Sequence, residues 1–246
     1  MTPPRTPWHH FPDVFIHAGE TNVKQHPMYR AGKSGDADAA EDLALANFNL
    51  TQLSALSVVI ELLAQQPPTL VSAHAYEREG VNAIPEAFAD VLGHVLRWPV
   101  ERGILQVNVV SHTGADGWSR LARQAAFEGP VALGFNYVLV DDFVGMGGTL
   151  ANLKGHIESH GGKVLAAVAL TGKAYSAKLA GTASTLAQLR SKHGPELETW
   201  WQHRFGHAFD ALTESEARYL ARAEDADTIR DRLAAAEQAG DRATGG

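Results

Sequence analysis

The sequence predicts an α/β fold: a mostly parallel sheet flanked by helices over residues 36–174, with an irregular N-terminal arm (1–35) and a helical C-terminal extension (175–246). Three observations carry this. Apolar runs of strand length alternate with segments of helical period through the central part. The strand runs are apolar at successive positions, as strands covered by helices on both faces must be. From Tyr175 onward only the helical period remains. With 246 residues, 45% of them hydrophobic, the chain can bury one sizeable core with appendages and is not disordered as a whole.

Each element has its own local justification. Pro, His, Gly and charged residues dominate the first 35 positions, leaving one apolar patch, Val14-Phe15-Ile16, for a short strand. A helical pattern starts near Asp36 and runs through Ala39 and Leu43 to Phe48. Thr51 is placed to cap a second helix, Gln52 to Gln66, which Pro67-Pro68 terminates. Thr69 to Ala73 reads as a strand. Pro85 suits the first turn of a helix reaching about Leu96. Ile104 to Val110 alternates and reads as the next strand. Tyr137 to Asp141 is a buried strand, the helix after it carries Leu150, Leu153 and Ile157, and Val164 to Leu170 is one more strand. Thr213-Glu-Ser-Glu216 has the form of a capping box, and Asp225 to Ala239 is a last amphipathic helix. Trp200 and Trp201 are expected to seal the C-terminal helices onto the sheet.

Composition removes several function classes. The absence of cysteine excludes disulfides, thiolate metal sites and cysteine nucleophiles. A net charge of −7 argues against a nucleic-acid surface, though not against a local anion pocket. No apolar run reaches the roughly 18 residues of a membrane span, and the N-terminal segment lacks a secretory apolar stretch, so a cytoplasmic location is expected. His203 and His207 are four apart, but Gly206 between them and the flanking Trp200, Trp201 and Phe205 point to packing, not to a metal pair.

Chemistry concentrates in Val138-Leu-Val-Asp141-Asp142-Phe-Val-Gly145-Met146-Gly147-Gly148-Thr149-Leu150. A buried strand ends in two carboxylates, a glycine loop follows, and a helix begins. Loop amides and the positive end of the helix form an anion cradle. A Walker loop would need lysine before Thr149, where Gly148 stands. A dinucleotide fingerprint would carry its acid on the next strand, after the glycines. Here the acids precede the glycines on the same strand. They suit the hydroxyls of a ribose whose 5′-phosphate lies in the loop.

This segment closely resembles the phosphoribosyl pyrophosphate (PRPP) motif of type I phosphoribosyltransferases, and the order of elements over roughly residues 65–172 resembles that family's core. The resemblance implies that Asp141 and Asp142 hold the ribose hydroxyls while Gly145, Met146, Gly147, Gly148 and Thr149 hold the 5′-phosphate. Gly145 and Met146 depart from the family's threonines. The loop His74 to Asn82 would receive pyrophosphate through Arg78 and Gly80, with Asn82 capping the next helix. Ser111 to Arg120 would be the mobile catalytic loop, with His112 or Arg120 supplying positive charge, and Lys173 would touch the base. The implied cofactor is Mg²⁺, carried by PRPP, with Asp141 and Asp142 as the protein carboxylates in reach.

The implied activity is transfer of 5-phosphoribosyl from PRPP to a nitrogenous base, or the reverse pyrophosphorolysis. Two alternatives remain: a PRPP- or nucleotide-sensing protein without catalysis, and a hydrolase splitting a nucleoside monophosphate with water. Expected partners are a small-molecule substrate and, as the assembly to test, a second copy in a homodimer. Neither membrane nor nucleic acid is expected.

Overall fold

The computed structural model describes residues 3–73, 76–77, 80–108 and 116–244. In chain order the elements are β1 (Phe15–Gly19), α1 (Glu20–Lys24), α2 (Tyr29–Lys33), α3 (Ala37–Ala46), α4 (Leu50–Leu63), β2 (Thr69–Ser72), β3 (Tyr76–Glu77), β4 (Gly80–Val81), α5 (Ile84–Leu96), β5 (Val100–Glu101), β6 (Leu105–Gln106), α6 (Gly117–Ala122), β7 (Phe127–Glu128), β8 (Asn136–Val144), α7 (Gly148–Ser159), β9 (Lys163–Gly172), α8 (Ala183–Phe205), α9 (Glu214–Ala221) and α10 (Ala226–Thr244). Five strands form one sheet in the order β1-β9-β8-β2-β5, every pair parallel. A parallel sheet flanked by helices, followed by a helical C-terminal region, is the expected fold class.

β8 lies at the centre, between β9 and β2, and is buried along nearly its whole length. The period of two along the strand divides its side chains between two cores. Tyr137 and Leu139 pack with Trp8, Leu150, Leu153 and Ile157 on the α7 side. Val138 and Val140 pack with Leu43, Leu56, Phe88 and Leu92 on the side of α3, α4 and α5. A third core, around Trp201, Phe209, Leu220 and Leu233, lies within the C-terminal helices and α6. Trp201 therefore joins those helices to one another; it does not press them onto the sheet. No single described helix is long and apolar enough to cross a membrane.

Three expectations change in detail. The arm contributes β1, whose Phe15 pairs with Val168 at the sheet edge, so the irregular part stops before residue 15. The strand expected over 104–110 is, among the described residues, only β6, which pairs antiparallel with β7 outside the main sheet. Its alternation sends Gln106 inward, while Leu105 and Val107 are exposed, the reverse of a core strand. The neighbour of β2 is instead β5. Asn49, not Thr51, caps α4: its Oδ1 accepts from the amides of Thr51 and Gln52. The Thr213–Glu216 capping box is present.

Candidate functional site

β8 and α7 are joined by a loop of three residues, Gly145 to Gly147. Gly147 has φ +81°, a left-handed conformation that a β-branched residue resists. A Cβ there would also lie 2.5 Å from Leu179 Cδ2. The backbone N–H groups of residues 145–149 have no acceptor among the described residues. They are the orphan donors of a helix start and its lead-in, open to a cavity of about 330 Å³. Asp141, Asp142, Gly145, Met146, Gly147, Gly148 and Thr149 all line this cavity.

The two acids sit in different environments because the strand turns them to opposite faces. Asp142 Oδ2 takes Lys33 Nζ at 2.8 Å and accepts from Asn82 Nδ2 at 3.1 Å. Burial alone would raise the Asp142 pKa, yet the Lys33 charge and these hydrogen bonds hold it below the usual carboxylate range. Asp141 accepts the Asp142 amide at 2.8 Å. Burial first, then the neighbouring Asp142 charge, pushes the Asp141 carboxyl well above its ordinary value. The two neighbouring carboxyls are thus shifted in opposite directions.

Behind the loop, Arg5 reaches across the fold. Its Nη1 and Nη2 donate to Glu216 Oε2 and Oε1 at 2.7 and 3.0 Å, and its Nε donates to Asn152 Oδ1 at 2.5 Å. Both charged side chains are about 1–2% exposed. Glu216 also accepts the Thr213 amide, and the Thr213 hydroxyl donates to the Met146 carbonyl at 2.6 Å. The N-terminal segment and α9 thus brace the loop, and Arg5 and Glu216 themselves line the cavity beside it. The carboxylate of Glu216 balances Arg5, and the loop amides without an acceptor among the described residues add an electropositive helix start to the cavity.

Arg120 lies at the same end. Its Nη1 is 3.0 Å from the position a Cβ on Gly145 would occupy, so it stands beside the loop. Arg123 and the buried Gln124 line the cavity next to it, and neither Arg123 Nε nor Gln124 Oε1 has a hydrogen-bond partner among the described residues. Lys173 does not line the cavity; its ammonium lies over the Tyr175 ring, 5.8 Å from the centroid. Gly80 opens β4, paired with Glu77. Arg78 and His112 lie outside the described residues.

Sequence reasoning overlooked Arg5, Lys33 and Gln124, and assigned Asn82 and Glu216 only to caps. Asn82 does bond the Ile84 amide, while its other end reaches Asp142. Lys24, ion-paired to Glu20 at 2.5 Å and 4.5 Å from the Phe143 ring centroid, covers the cavity beside the acids. None of these carries a local pattern that marks it.

No family model matches the chain. It is 40% identical over 235 residues to Protein TraN of Escherichia coli, covering 94% of this chain and 51% of that protein. It is 38% identical over 147 residues to an uncharacterized protein of Haemophilus influenzae, covering 60% of this chain and 32% of that one. The chain thus spans about half the length of the first relative and about a third of the second. Among solved structures, one of an adenine phosphoribosyltransferase overlaps 61% of this chain and 75% of its own, at 14% identity and a TM-score of 0.36. The adenine phosphoribosyltransferase of Thermoanaerobacter pseudethanolicus overlaps 51% and 87%, at 16% identity and 0.30. UMP synthase of Leishmania donovani overlaps 77% and 36%, at 16% identity and 0.29.

Proposed function

We propose that the cavity binds a ribose 5-phosphate group and that the protein transfers it from PRPP to a nitrogen nucleophile. One observation carries the reading: a buried acid pair and a set of unpartnered helix-start amides open into the same cavity from one strand-loop-helix segment. Carboxylates accept from vicinal hydroxyls, and the amides donate to a tetrahedral anion. At 330 Å³ the cavity has the size of a small-ligand site.

In the transfer, the C1′–oxygen bond to pyrophosphate breaks as the C1′–nitrogen bond forms, with positive charge growing on the ribose ring. Asp141 and Asp142 would orient the hydroxyls and face that charge; the loop would anchor the phosphate so that C1′ stays fixed. Magnesium fits this site poorly as a protein-held ion. Asp142 already carries an ammonium, and no cluster of three metal-ligating side chains exists among the described residues. No step is assigned to it.

Binding without transfer is the second reading. The position of Arg120 favours it, since its Nη1 stands beside Gly145, in the loop that would hold the 5′-phosphate. Calorimetric titration with PRPP, followed by a pyrophosphate-release assay across a panel of bases, tests both. Asp141→Asn with Asp142→Asn should weaken binding, each lost charge-assisted hydrogen bond being worth about 1.5–3 kcal/mol. Gly147→Val should abolish it. Binding with release supports the transferase, binding without release the second reading, and wild-type affinity in both variants overturns the site.

A further inference from the structure

We infer that Lys33 is a built-in cation that fills, at the acid pair, the role the resemblance gives to magnesium, so that this site binds pentose phosphate without metal. The inference rests on the ribose 5-phosphate reading above.

The placement of Lys33 is a property of the backbone. A Cβ on Gly32 would lie 3.1 Å from Ala40 Cα and 3.2 Å from Ile84 Cγ1, so glycine lets α2 lie flush against α3 and the start of α5. The Gly32 carbonyl accepts the Ala83 amide at 3.1 Å. Lys33 and Asn82 flank that hydrogen bond, one on each chain segment, and both end on Asp142 Oδ2. Gly35, at φ +102°, turns the chain into α3 immediately afterwards. The ammonium is thus delivered by a fixed turn, with its side chain 22% exposed and that of Asp142 11%.

A magnesium ion needs near-octahedral oxygen ligands at about 2.0–2.1 Å. On Asp142 it would have to displace the ammonium or lie against it, like charge to like charge. A positive charge is therefore already present at the acid pair, on a side chain that needs no recruitment. The disagreement with the resemblance is specific to this position: acids of the expected kind at the expected place, with an organic cation on one of them.

The test is calorimetric titration with ribose 5-phosphate, which lacks the pyrophosphate that itself carries magnesium, in excess EDTA and again in millimolar magnesium. Wild-type affinity should agree between the two conditions within about twofold. Lys33→Met should weaken binding about tenfold or more in EDTA, the scale of one charge-assisted hydrogen bond, and magnesium should restore much of the loss. Lys33→Arg should stay metal-independent. A purely structural lysine would lower affinity equally in both conditions, which would overturn the inference. So would wild-type binding that requires magnesium, although the pentose phosphate reading would then survive. Absence of binding in both conditions would remove that reading and the inference together. Should Lys33→Met fail to fold, manganese titrated alone decides on the wild type: uptake at the acid pair overturns the inference, exclusion supports it.

Discussion

The two ends of the cavity are built on opposite plans. At the acid end the charged groups are already matched: Lys33 and Asn82 hold one oxygen of Asp142, and the Asp142 amide holds Asp141. At the loop end the amides of residues 145–149 have no acceptor among the described residues, and the arginine behind them is balanced by Glu216. The acid end is already matched; on the ribose 5-phosphate reading, the ligand's phosphate would complete the loop end. Affinity should therefore come mainly from the phosphate, and selection of the sugar from the acids.

The largest effect expected is on the brace behind the loop. Glu216→Ala leaves the Arg5 guanidinium buried without its carboxylate, a change that costs about 3–5 kcal/mol in comparable buried pairs. Urea unfolding should register it, and Arg5→Met combined with Glu216→Leu should recover most of the loss. If the single variant is as stable as the wild type, the loop is not braced from this side.

Acid should weaken the same end next. Burial first, and then the Arg5 charge, pushes the His207 pKa from 6.5 down to about 4. Between those values the unfolded chain binds the proton and the folded one does not, so stability rises with pH across this window and is lost on acidification. The full loss is about 3 kcal/mol. His207→Phe, which keeps a ring beside Trp201 and Phe205, should flatten the slope in unfolding experiments from pH 7 to 4. His17, also pushed down to about 4 by burial, should retain its share.

Ligand deletion separates the ends directly. Ribose without its phosphate should lose about 3 kcal/mol or more, two charge-assisted bonds at their lower value, while 2-deoxyribose 5-phosphate should lose about half as much. The reverse order in a titration series would mean that the acids, not the amides, dominate binding.

The smallest effect divides the two acids. The raised pKa of Asp141 means that the folded protein prefers it protonated, so its contribution to stability is lost as pH rises through that value. Asp141→Asn fixes the neutral state and should leave stability at neutral pH equal or higher. Asp142→Asn removes the carboxylate that Lys33 faces and should lower stability by about 1–2 kcal/mol. Equal effects would show that the two environments are not distinct.

What the sequence could disclose follows from how far apart the interacting groups are. The acids, the glycines and the helix start occupy one unbroken stretch, so their order alone carried the argument. Lys33, Asn82, Arg5 and Glu216 meet partners 60 to 211 residues away, and no local pattern announces such pairings. Ile104 to Val110 misled for another reason: alternation fixes the period of a strand but not which face is inside, and here the polar Gln106 took the cavity side. The short strand expected at Val14-Phe15-Ile16 is β1, but its pairing at the sheet edge could not be read from so short an apolar run.

The contact between residues 5 and 216 also sets an order in time. During synthesis β8, the loop and α7 leave the ribosome well before α9, so the sheet can form around a loop whose brace does not yet exist. Ring closure over 211 residues adds about 5 kcal/mol of chain entropy to that single encounter, which the earlier packing of the core must first reduce. The braced loop therefore matures late, and a nascent chain stalled before Glu216 would hold the whole glycine loop in its sequence while lacking the contact that braces it.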